Sequence, residues 1–109
     1  MDVKQLKEKL IAAQGAPEKL EVLDEIAACY YDQDEYQEAV VYYGEAEKLA
    51  PEGNPRAYFQ GMEGICHFFL KKDQEAHKAL LGAKNMLRPD EEDCDPEISG
   101  LIHYFLGSL

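Results

Sequence analysis

With 109 residues, 46% of them apolar and 30% charged, the chain has the material for one domain with a modest, thin core. Its formal charge of −11 argues against unassisted nucleic-acid binding, which rests on Lys and Arg neutralising phosphates, and against docking on an anionic membrane. Such acidity favours a cationic partner surface or peptide, or else serves solubility alone.

The opening stretch, MDVKQLKEKLIAAQG, carries charges through position 9 and has no apolar core, so it does not read as a signal peptide. Val3, Leu6, Leu10 and Ala13 recur at helical spacing and predict a short helix over 2–14. Leu20, Leu23, Ile26, Ala27 and Tyr30 then follow the same period. The period breaks between Asp32 and Glu35. A further helix runs from Glu35 to Ala50, with Ala39, Val40, Tyr43 and Ala46 on one face. It stops before Pro51, because proline disfavours helix in the residue ahead of it. Two helices joined by a short turn make an antiparallel hairpin.

Helices are predicted again over 55–71 and 73–87, and a last one begins at Asp95-Pro96, with Asp as N-cap and Pro at the first helical position. Six helices result, and no strand pattern competes, so the fold class is all-α. No apolar run approaches the roughly 20 residues needed to cross a bilayer. Cys29, Cys66 and Cys94 include no close-spaced pair and form no disulfide framework. Cys29 and Cys66 lie in apolar stretches and read as small core residues. A reducing, cytoplasmic location is expected.

The chain repeats itself. A shift of 37 residues lays Gln37-Glu38-Ala39 on Gln74-Glu75-Ala76, Tyr43 on Leu80 and Ala46 on Ala83. It also lays Ala27 on Gly64, and Tyr31 on Phe68 and then on Phe105. Pro51 and Pro89 close their segments one residue out of step.

Residues 20–53 resemble the tetratricopeptide repeat, whose helical hairpin alternates large, small and aromatic residues and closes on Pro. Leu23, Ile26, Ala27, Tyr30, Ala39, Tyr43, Ala46 and Pro51 occupy those places without a gap, Leu23 standing for the favoured Trp and Ala27 for the favoured Gly. Small Ala27 and Ala39 let the paired helices approach, and Tyr30 and Tyr43 fill the space above and below. The resemblance implies antiparallel helix hairpins stacked in a short right-handed superhelix. The single domain, 1–109, then divides into a partial helix at 1–15, one repeat at 20–53, a divergent repeat at 54–90 and a terminal helix at 95–109. Ala76, Leu80 and Ala83 keep the pattern in the divergent unit, whose first helix carries Gly61 and Gly64.

The family holds extended peptides on its inner surface, lined mainly by first helices. Here the matching positions are Glu21, Asp24, Ala28, Tyr31 and Asp32, then Tyr58, Gly61, Ile65 and Phe68. Members that grip acidic chaperone tails use Lys and Asn, where this chain has Asp24 and Ala28. The resemblance therefore implies a basic or basic-hydrophobic protein segment, held in a groove of Glu21, Asp24, Tyr31, Tyr58 and Phe68 by an adaptor, scaffold or co-chaperone-like module. The competing reading is a solvated acidic face.

No chemistry-bearing motif accompanies this. Asp90-Glu91-Glu92-Asp93-Cys94-Asp95 lacks the Gly turn and alternating ligands of an EF-hand loop. His67, His77, His103 and the cysteines lack zinc-site spacing. Ser99 and Ser108 are the two serines, and neither lies in a nucleophile elbow; no Gly-rich phosphate loop occurs. No catalytic residue, metal or cofactor is expected. The final helix is uncharged from Ile98 to Leu109. Ile98, Leu101, Ile102, Phe105 and Leu109 form its packing stripe; Gly100, His103, Tyr104, Gly107 and Ser108 form the other face. A terminal repeat helix needs a polar outer side for solubility. This weakly polar face marks a segment of a longer array, a homodimer contact through Gly100, Tyr104 and Gly107, or a neutral monomer surface.

Overall fold

The computed structural model describes residues 2–109. They form six helices: α1 (Val3–Ala12), α2 (Ala16–Asp32), α3 (Tyr36–Leu49), α4 (Asn54–Phe69), α5 (Asp73–Met86) and α6 (Pro96–Ser108). No strand occurs among the described residues.

Each start and stop has a local cause. At α1, the Asp2 side chain accepts from the Gln5 amide at 2.9 Å, and the Gln5 side chain accepts from the Asp2 amide. This capping box satisfies donors that the first turn leaves free. Two helices, α2 and α4, share another entry. Gly15 and Gly53 take φ of 79° and 104°, and a proline follows in the first turn. Glycine tolerates that backbone, and proline has no amide to waste there. The Gly15–Pro17 entry sets the start of α2 at Ala16, ahead of Leu20, where apolar periodicity alone would place it.

The exits of α2 and α4 also match. Asp34 and Lys71, 37 residues apart, turn left-handed with φ of 61° and 65°. Beyond them, the Glu35 amide donates to the Tyr30 carbonyl and the Lys72 amide to the His67 carbonyl, both at 2.9 Å. Such bonds close carbonyls left open at a helix end.

Every helix packs on the next, and α4 packs on α6 as well. The main core joins Leu23, Ala27, Ala39, Tyr43 and Ala46 to Ala57, Ile65, Cys66, Leu80, Ala83, Ile98 and Ile102. Fully burying a side chain such as Ile65 or Leu80 stabilises by roughly 1.5–3 kcal/mol. In the last helix Ile98, Ile102 and Phe105 are buried, whereas Leu109, expected in the same stripe, is exposed at the helix end. Two glycines set how closely α4 approaches its neighbours. A Cβ on Gly64 would fall 2.6 Å from Leu80 Cγ and 3.1 Å from the Leu80 backbone nitrogen. One on Gly61 would fall 2.8 Å from Ile102 Cδ1.

Asn54 is the buried polar residue at the start of α4. Its amide nitrogen donates to the Arg88 carbonyl at 3.0 Å and to Asp93 Oδ1 at 2.8 Å. Its carbonyl oxygen accepts from the Arg88 amide at 2.7 Å. One side chain thus ties the loop before α6 to the top of α4.

Candidate partner-binding cleft

The first helices of the hairpins, α2 and α4, together with α6, build the site. Asp24 and Tyr31 stand two turns apart on α2, Tyr58 and Met62 one turn apart on α4, and Ile98 and Leu101 one turn apart on α6. Tyr31, Tyr58, Met62, Ile98 and Leu101 line an open cleft of about 280 Å³, with Asp95 and Glu97 at its edge. Asp95 is also the N-cap of α6: its Oδ1 accepts from the Glu97 amide at 2.9 Å. The cap and the Asn54 clip together fix where these carboxylates stand.

The Tyr58 hydroxyl donates to Asp24 Oδ1 across 3.4 Å, a long contact that bridges α4 and α2. Burial raises the Asp24 carboxyl above its ordinary range, and Tyr58 offsets part of that rise. The Tyr58 hydroxyl is pushed well above its usual value by burial and then by Asp24, with Asp95 and Glu97 adding to the field. Three carboxylates therefore concentrate negative potential at one aromatic ring. Among the described residues the ion pairs are Arg56–Glu52 at 3.6 Å and Arg88–Glu91 at 3.9 Å, so none of these three has a cation of its own.

Of the five groove residues expected from the sequence, Tyr31 and Tyr58 line this cleft and Asp24 joins it through the Tyr58 hydroxyl. Glu21 is exposed one turn before Asp24 and is not among the lining residues. Phe68 is half-buried in an aromatic row. Its ring meets Phe105 edge-on at 5.0 Å; Phe69 meets Phe105 at 5.7 Å and stacks on Tyr36 at 4.7 Å. Tyr36 in turn meets Tyr31 at 5.5 Å. Phe68 thus contributes to the packing of α6 on α4. Sequence reasoning missed Met62, Asp95, Glu97, Ile98 and Leu101. The signal was available: if α6 is a first helix like α2 and α4, its inner face belongs to the same surface.

Gly100 and Gly107 look onto open space, where an added Cβ would meet nothing within 4 Å. Tyr104 is 67% exposed, its ring edge-on to Phe105 at 5.2 Å. The proposed self-association residues therefore share one uncovered face of α6.

Other groups offer less chemistry. Burial pushes the Cys66 thiol up to about 12, which disfavours the reactive thiolate. Among the described residues no group of three or more His, Cys, Asp or Glu side chains is placed to hold a metal ion, and no helix is long and apolar enough to cross a membrane. Comparison with protein-family models, with curated proteins and with solved structures found no match for the chain.

Proposed function

We propose that the chain is a protein–protein interaction module, a short right-handed superhelix of tetratricopeptide-like hairpins working in the cytoplasm. Its inner face binds a basic or basic-hydrophobic segment of a partner, as an adaptor or co-chaperone-like element would. One observation carries the reading: Asp95 and Glu97 line an aromatic cleft, Asp24 meets its Tyr58 hydroxyl, and among the described residues no cation pairs with any of the three. A partner cation would relieve that potential, and the overall charge of −11 would speed its approach. The rings and Met62 supply apolar contact that survives salt.

The test is affinity capture from cell extract at low and high salt, with the native chain and a Glu21→Lys/Glu97→Lys chain as baits. Both sites are exposed, so the fold should hold, and circular dichroism checks that it does. The expected result is a partner lost on charge reversal and weakened by salt. A partner retained equally by both baits at both salts would overturn the reading.

A second reading has its own observation, the open face at Gly100, Tyr104 and Gly107. A homodimer through that face would show twice the chain mass by light scattering, and Tyr104→Lys would return it to monomer. A monomeric native chain would remove this reading.

A further inference from the structure

We propose that the cleft between α2, α4 and α6 selects one arginine side chain of the partner segment. Its stem would lie on Met62, Ile98 and Leu101, and its planar head against the Tyr31 and Tyr58 rings and the Asp95 and Glu97 carboxylates. The inference rests on the inner face being the partner surface, and it specifies what that surface reads.

Size comes first. At about 280 Å³ the cleft is at the lower end of small-molecule pockets, which suits one long side chain better than a cofactor or metabolite. Chemistry comes second. The walls are two tyrosine rings and three aliphatic or thioether side chains, so the occupant needs an apolar stem. The edge holds two carboxylates, so the occupant needs a cationic head with N–H donors. Asp95 spends Oδ1 on the Glu97 amide, and the Glu97 carboxylate accepts no hydrogen bond among the described residues. Acceptor capacity therefore remains on both.

Arginine meets these demands together. Guanidinium is flat, stacks on aromatic faces, carries five donors in a fork that fits carboxylates, and is less strongly hydrated than ammonium. Lysine offers a compact, strongly hydrated head that stacks poorly. A quaternary ammonium has no N–H to give the carboxylates and is suited to an aromatic cage. Here the aromatic walls are two rings, and the rest is aliphatic and open.

The experiment uses the full chain with labelled Met, Ile and Leu methyl groups and follows Met62, Ile98 and Leu101 by NMR. The probes are the N-acetyl amides of arginine, citrulline, lysine and trimethyl-lysine. Arginine amide should shift the three methyl signals and saturate. Citrulline has the same shape without the charge, and should bind at least about fivefold more weakly. Lysine and trimethyl-lysine should both bind more weakly than arginine. Glu97→Gln should weaken arginine binding by about two- to fivefold and leave citrulline unchanged. Equal binding of arginine and citrulline, tighter binding of trimethyl-lysine, or shifts confined to other methyl groups would each overturn the proposal. The outcome separates from that of the wider reading. Salt-sensitive partner capture with no arginine response defeats the arginine site alone. An arginine response at the three methyl groups, with capture indifferent to salt and charge reversal, defeats the partner reading and leaves the arginine site standing.

Discussion

Where α1 meets α2, the seam is apolar: Leu6, Val22 and Ile26 are buried together, with Leu10 and Tyr30 packed on them. Where α3 meets α4, 37 residues further on, Tyr43 and Phe59 keep the first part of that seam. The rest changes character. Glu47, Glu63 and His67 stand where the earlier seam has Leu10, Ile26 and Tyr30. They line a cleft of about 230 Å³ with Gln60, Glu75 and Lys78. Oε1 of Gln60, Oε1 of Glu63 and Nδ1 of His67 are buried there without a hydrogen-bond partner among the described residues. Near-identical hairpin turns thus accommodate an oily seam and a titratable one. The shape is set by small residues at the crossings and by the left-handed exits. The seam chemistry is free to vary, at a cost in stability for the polar version.

The crossings give the largest expected effect. In the second hairpin α4 crosses α5 on Gly64; the corresponding residue in the first is Ala27. Gly64→Ala pushes a methyl into Leu80, including its backbone, and should cost about 3 kcal/mol. Ala27→Gly removes a methyl from a helix interior and should cost about 1 kcal/mol from backbone freedom, plus a small packing loss. Urea unfolding of both variants measures the asymmetry. Equal losses would mean that the two crossings are equally close.

The Asn54 clip belongs to the second hairpin, because the residue just after Gly15 in the first is the exposed Ala16. Asn54→Ala leaves the Arg88 amide and carbonyl without their partner and should cost about 2 kcal/mol. Hydrogen exchange should then quicken over residues 88–95 well before it does in α2 and α3. Uniform acceleration along the chain would show that the clip supports the whole fold rather than one loop.

Glu63 should give a smaller effect of the opposite sign. Burial and the facing Glu47 carboxyl raise its carboxyl well above the ordinary value of 4.5. The folded chain therefore holds this proton more tightly than the unfolded chain. The stability so gained is complete below about pH 4.5 and is lost as pH rises through the elevated folded value. Glu63→Gln cannot ionise, so it should match the native chain near about pH 4.5 and exceed it by about 1–2 kcal/mol at about pH 8. His67, lowered by burial and Lys72, acts in the other direction below about pH 6.5, and it does so in both proteins. Denaturation midpoints across that range measure the difference. A variant gain that stays flat with pH would mean that Glu63 ionises normally.

The comparison also shows what was legible in the sequence. Apolar periodicity located six helices because each buries one face, and the shift of 37 found matching positions in the two hairpins. Periodicity missed the start of α2, since Gly15 and Pro17 act through backbone geometry and not through burial. It also gave Phe68 to the binding groove, although that ring spends much of its surface on Phe105. Contacts between rings 37 residues apart depend on how α6 lies across α4, which no local pattern encodes. Asp95 reads as the end of an acidic run and as a helix cap, and Glu97 is given no role, for the same reason. Their position beside Tyr58 follows from the Asn54 clip and the α6 cap, both long-range or conformational facts.

The smallest expected effect concerns the two left-handed exits, which have nearly the same φ but different residues. A left-handed backbone costs most L-residues roughly 1–2 kcal/mol, and Asp or Asn less because their short side chains can bond locally. Asp34 does so: its Oδ1 accepts from the Tyr36 hydroxyl at 2.9 Å. Lys71 has an exposed side chain and no such bond among the described residues. Lys71→Gly should therefore stabilise by about 0.5–1 kcal/mol, strain relief outweighing the greater freedom that glycine gives the unfolded chain. Asp34→Gly loses the Tyr36 contact while relieving less strain, and should change stability by under about 0.5 kcal/mol. Thermal midpoints would resolve the pair. Equal gains would mean that the Asp34–Tyr36 bond contributes nothing and that the two turns, like the two backbones, are interchangeable.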